Sequence, residues 1–120
     1  MKYGLSEAAI ARIHAVLARH PQVEQAVLYG SRAKGNYKTG SDIDLCLYGG
    51  PELTLSVLFR MMNELDDLLL PYSIDLSIFR NVSDPDVIAH IERVGMVFYT
   101  REAAKTQMND VDKVIESVLV

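Results

Sequence analysis

The stretch that most constrains the fold runs from Gly30 to Asp44, where two short apolar runs are joined by a cationic, glycine-containing connection. Ala26-Val27-Leu28-Tyr29 delivers the chain to Gly30-Ser31, a loop with Arg32, Lys34, Gly35, Lys38 and Gly40 follows, and Asp42-Ile43-Asp44-Leu45-Cys46-Leu47-Tyr48 resumes the apolar pattern. The order reads strand, phosphate-type loop, strand. Side chains alternate faces along a strand, so Asp42, Asp44 and Cys46 share one face while Ile43, Leu45 and Leu47 take the other. Two carboxylates about 4 Å apart repel by about 1 kcal/mol in water and about 4 kcal/mol at a protein-like dielectric. Such a pair calls for a counter-charge, and a divalent metal with oxygen ligands is the economical candidate.

A third carboxylate lies downstream. Tyr72-Ser73-Ile74-Asp75-Leu76-Ser77-Ile78-Phe79 alternates polar and apolar, which puts Ser73, Asp75 and Ser77 on one face of a further strand and Ile74, Leu76 and Ile78 on the other. If that strand pairs beside the first two, Asp75 joins Asp42 and Asp44.

The Gly30-Ser31 pair, ten intervening residues and Asp42-Ile43-Asp44 resemble the signature of the nucleotidyltransferase superfamily that includes DNA polymerase β. The resemblance covers most of the first hundred residues. Within that superfamily the chain is similar to the minimal nucleotidyltransferases (MNT), small prokaryotic proteins often paired with a HEPN-domain ribonuclease toxin. The resemblance implies a polymerase β-like fold and the transfer of AMP from ATP to a tyrosine hydroxyl of the toxin, by which the protein acts as antitoxin. It also implies a two-metal site in which Asp42 and Asp44 ligate two Mg2+ ions and Asp75 completes the acceptor-side shell and takes the hydroxyl's proton. Gly30, Ser31, Arg32 and Lys34 are then the expected triphosphate clamp. Gly30 lets the backbone come close to phosphate oxygens, Ser31 and nearby N–H groups donate to them, and Arg32, Lys34 and, farther round the loop, Lys38 bring positive charge.

Composition bounds these expectations. A chain of 120 residues, 49% hydrophobic and 23% charged, makes one domain with one core and leaves no room for a second substantial lobe. The net charge of −4 and pI near 5.3 argue against a general grip on a DNA or RNA backbone, which depends on a broad cationic face. Cys46 is the single cysteine, so an internal disulfide and a Cys-rich zinc site are excluded. The sequence holds no secretory h-region and no apolar run near membrane-spanning length, and a reducing cytoplasm is the expected compartment.

The remaining pattern predicts an α/β (α+β) domain over residues 1–100, a small mixed sheet flanked by helices that cover a face, and a tail over 101–120. Ser6 opens a helix with Ile10, Ile13, Val16 and Leu17 inward, halted at His20-Pro21. A longer helix carries Leu55, Leu58, Phe59, Met62, Leu65 and Leu69 on its buried stripe. Asp84-Pro85 caps a third with Val87, Ile88 and Ile91 inward and Gly95 at its end, and Met96 to Tyr99 forms the last strand. A terminal helix over 110–119, with Val111, Val114, Ile115, Val118 and Leu119 as its stripe, either docks on its own domain or meets a partner; homo- or hetero-oligomers are both open. Cys46 reads as core filler, His14, His20 and His90 as structural or solvent-facing, Asp66-Asp67 as a solvated face, and Arg80 as a surface residue near the rim.

Two other functions compete with the antitoxin enzyme. One is nucleotidyl transfer to a small molecule such as an aminoglycoside, which in larger relatives uses an added helical domain. The other is a binding-only antitoxin or adaptor without turnover, which keeping three clustered carboxylates without a metal argues against.

Overall fold

The computed structural model describes residues 1–102; the helix expected over 110–119 lies outside them. The order is α1 (Glu7–Ala18), β1 (Gln25–Tyr29), α2 (Ser31–Lys34), β2 (Ile43–Tyr48), α3 (Leu55–Asp66), β3 (Ile74–Ile78), a 3₁₀ turn (Phe79–Asn81), α4 (Pro85–Val94) and β4 (Met96–Thr100). One four-stranded sheet runs β3-β2-β1-β4. β1 pairs antiparallel with β2 and β4, and β2 pairs parallel with β3, so the sheet is mixed as expected. A parallel pair cannot be joined by a tight turn, and α3 supplies the crossover.

The helix starts follow the residues that cap them. Ser6 and Thr54 accept from Ala9 N and Val57 N to open α1 and α3. Asp84 accepts from Asp86 N while Pro85, lacking an N–H, begins α4 where none is needed. At the other end of α4 the backbone comes so near Gly95 that a Cβ there would collide with Ile91 O.

Both faces of the sheet are covered, not the single face the strand patterns favoured. The larger core joins Ile13, Val16 and Leu17 of α1 and Val57, Met61 and Leu65 of α3 to Leu28, Leu45, Leu47 and Leu76 of the sheet. The opposite face is smaller: Ile91 of α4 sits on Val27 and Cys46, ringed by Tyr29, Tyr48 and Phe79. Cys46, fully buried there, is the apolar filler the sequence indicated.

Four stretches depart from the predicted pattern. The buried stripe of α3 is Val57, Leu58, Met61 and Leu65, with Leu55 and Phe59 53% and 56% exposed and Leu69 beyond the helix. Apolar residues surround this helix, so period alone admits two overlapping stripes, and packing on the sheet selects one. In α4 only Ile91 is fully buried, with Val87 and Ile88 partly so. The connection after Gly30 is a helical turn through Lys34 before it becomes a loop. In β4, consecutive Phe98 and Tyr99 are both buried because the pairing with β1 shifts register between Ala26 and Val27.

Candidate active site

The period-two alternation of β1, β2 and β3 builds a polar row at one end of the α4 face. Tyr29 of β1 pairs with Asp44 of β2, and Asp44 pairs with Asp75 of β3, so these three side chains stand side by side across three strands. Behind them run Val27, Cys46 and Ser77 in the same order. The expectation that the Asp75 strand lies beside the Asp44 strand is met by this register. Asp42 is exposed, just before β2.

The row is electrostatically loaded. Burial first, then the nearby Asp75 and Asp42, push the Asp44 carboxyl above its usual range. Burial likewise raises the Tyr29 hydroxyl, with Asp75 and Asp44 adding to the shift. Among the described residues no group of three or more His, Cys, Asp or Glu side chains stands close enough to hold a metal ion, so the carboxylates are not gathered into a finished ligand cage. Their chemistry nonetheless fits a hard divalent cation: the donors are oxygens, and Asp44 carries negative neighbours that a cation would neutralise.

Gly30 forms the adjoining corner. Its backbone has φ 74° and ψ −158°, a region open to glycine alone, and a Cβ would collide with Asp44 Oδ2. The corner is therefore pressed against the carboxylate, and Ser31, half-buried, is the next residue. The Gly30 amide N–H donates to His90 Nε2 at 3.2 Å. His90, on α4, also meets the Tyr29 ring edge-on, with centroids 6.2 Å apart. Sequence reasoning placed His90 as structural or solvent-facing; nothing in a local pattern joins it to a glycine sixty positions away.

Among the expected clamp cations, Lys34 is exposed, whereas Arg32 is 2% exposed and otherwise engaged. Its Nε and Nη2 donate to Ser41 O at 3.1 and 2.8 Å, its Nη1 donates to Tyr3 O at 3.0 Å, and the rings of Tyr37 and Tyr72 lie within 5.3 and 4.9 Å of the guanidinium carbon. It ties the loop's far end to the N-terminal turn and does not present its charge at the rim. Arg80 is similarly used, donating to Gly50 O and Leu53 O in the β2–α3 connection. His14 donates to Phe98 O, and burial holds its pKa down. His20 meets Glu64 of α3 at 2.5 Å. Both have the structural role expected of them.

The family profile described as "Polymerase beta, Nucleotidyltransferase" matches residues 11–104, well over half of the chain. This protein belongs to that nucleotidyltransferase family. The nucleotidyltransferase has no match among curated proteins. Solved structures share its fold. One, a toxin–antitoxin with AMP-PNP, is 17% identical with a TM-score of 0.61, the match covering 97% of this chain and 100% of that one. A second, a tri-AMPylated Shewanella oneidensis HEPN toxin in complex with MNT antitoxin, is 15% identical with a TM-score of 0.60 over 97% and 100% of the two chains. A third, the toxin–antitoxin MntA–HepT, is 16% identical with a TM-score of 0.59 over 96% and 100%. At such identities the likeness establishes the polymerase β-like fold. Among the described residues of the nucleotidyltransferase, no helix is long and apolar enough to cross a membrane.

Proposed function

We propose that this nucleotidyltransferase transfers AMP from ATP to a tyrosine hydroxyl of a cognate HEPN ribonuclease toxin and thereby serves as its antitoxin in the cytoplasm. The observation that carries the reading is the side-by-side register of Asp44 and Asp75 against the Gly30 corner, on a fold shared with an AMP-PNP-bound toxin–antitoxin and with an antitoxin complexed to an AMPylated toxin.

In this reading Gly30 brings backbone against the triphosphate, Ser31 donates its hydroxyl, and exposed Lys34 supplies positive charge. Arg32 supports them indirectly by holding the loop in shape. Asp42, Asp44 and Asp75 would hold two Mg2+ ions, which neutralise charge on the leaving pyrophosphate and lower the pKa of the attacking hydroxyl. Asp75, exposed at the edge strand, would accept the tyrosine proton as the phenolic oxygen attacks the α-phosphorus and the bond to pyrophosphate breaks. Asp42 and Asp75 are both exposed, which suits an acceptor brought in on the surface of another protein.

The test is neutralisation in living cells. Co-expressed with the neighbouring gene product as the candidate toxin, the wild-type protein should restore growth, and Asp44→Asn or Asp75→Asn should fail to do so while still co-purifying with it. Full rescue by both variants would instead establish the binding-only antitoxin.

A further inference from the structure

His90 was not a sequence candidate, yet it is the one side chain from α4 that reaches the Gly30 corner through a hydrogen bond. The bond is directional: a backbone N–H can only donate, so Nε2 is the bare nitrogen and the imidazole proton sits on Nδ1. The helix that carries His90 is anchored: Asp84 caps it and the adjacent Ile91 is buried on Val27 and Cys46, and the Tyr29 ring stands edge-on to the imidazole. An acceptor on an anchored helix thus holds the peptide joining Tyr29 to Gly30.

That peptide governs the site's shape. Gly30 occupies a conformation reserved for glycine, so little in its own backbone preference selects this orientation over a flipped one. On one side it leaves no room for a Cβ beside Asp44 Oδ2, and Ser31 follows on the other. Rotating the peptide would shift Ser31 relative to Asp44, and with it the spacing between the phosphate-facing backbone and the carboxylate row.

We propose that His90 is a positioning residue of the nucleotide site, acting through the Gly30 amide to hold the Gly30-Ser31 corner in register with Asp44. The inference rests on the nucleotidyl-transfer reading for its consequence, and on the Gly30–His90 bond for its cause. His90 touches neither substrate nor metal in this account. Its contribution is to reduce the number of corner conformations that ATP must select among.

Two kinds of variant separate the acceptor from mere packing. His90→Gln places an oxygen acceptor near the position of Nε2, whereas His90→Leu fills similar space and accepts nothing; His90→Ala provides a second acceptor-free variant. In the free protein, hydrogen exchange at the Gly30 amide should remain slow in His90→Gln and accelerate about fivefold to tenfold in His90→Leu and His90→Ala, as for loss of one hydrogen bond. With AMP-PNP and Mg2+, the dissociation constant should rise by a similar factor in the acceptor-free variants and stay within about twofold of wild type in His90→Gln, with melting temperatures of His90→Gln and His90→Leu alike. Equal Gly30 exchange in all variants, or equal loss of binding in His90→Gln and His90→Leu, would overturn the positioning role alone. Wild-type protein that binds no AMP-PNP would overturn the functional reading together with this one.

Discussion

Asp44 is held where its negative charge is disfavoured: half-buried, with Asp75 opposite it in register and Asp42 nearby. A carboxyl whose folded pKa lies above its unfolded value binds a proton more tightly in the native state. Its contribution to stability is thus greatest below the unfolded value near 3.8 and is lost as pH rises through the folded value, so at neutral pH the ionised group works against folding. Asp44→Asn should therefore raise the melting temperature of the metal-free protein by on the order of a few degrees while lowering nucleotidyl transfer by at least about a hundredfold. Differential scanning fluorimetry with EDTA reads the first effect, and a decrease in melting temperature would contradict it. Arg32 behaves oppositely. Removing it leaves Ser41 O of the loop and Tyr3 O of the N-terminal turn without their donor, and Arg32→Ala should cost about 2–4 kcal/mol in urea unfolding, with Arg32→Lys recovering less than half because an ammonium cannot reproduce the planar fork on Ser41 O. The carboxylate row was legible in the sequence because strand alternation is local. The use of Arg32 and His90 was not, since each depends on a partner that only the tertiary fold brings near: Tyr3 for one and Gly30 for the other.

At the scale of elements, the strands and helix starts could be read from alternation, caps and breakers, and the rotation of α3 could not. Its sequence carries Leu55, Val57, Leu58, Phe59, Met61, Met62 and Leu65, so two stripes about a quarter-turn apart satisfy the same period. The sheet decides between them by offering Leu45, Leu47 and Leu76 to whichever stripe meets the crossover. The choice is measurable. Met61→Ala, at a fully buried position, should lower unfolding free energy by about 2–5 kcal/mol, and Phe59→Ala, at an exposed one, should change it by no more than about 0.5 kcal/mol. Comparable losses in urea titrations of both variants would put the helix in the other rotation. Gly30, the joint between β1 and α2, is the element boundary with least tolerance: Gly30→Ala must take a positive φ and drive its Cβ into Asp44 Oδ2, and should abolish transfer even where circular dichroism shows the helices intact.

For the whole molecule, the division of the sheet into two faces explains why a domain this small can host a charged site. The α1 and α3 side carries the larger core, while the α4 side buries only a compact group around Val27, Cys46 and Ile91 and leaves the strand ends open for Tyr29, Asp44 and Asp75. Coverage of both faces was foreshadowed by the continuous apolar runs Ala26 to Tyr29 and Leu45 to Tyr48, but Asp44, Asp75 and Ser77 on the same face read as a solvent-facing alternation and masked it. Asp42 and Asp75, both exposed, are accessible to a substrate carried on another protein, as the proposed function requires. The most direct measurement is intact-mass spectrometry of the protein encoded next to this one after incubation with this chain, ATP and Mg2+, in parallel with Asp42→Asn/Asp44→Asn protein. The expected result is a gain of one or more AMP units on that partner, absent with the double variant; an unmodified partner still tightly bound to the wild-type protein would contradict the proposed transfer.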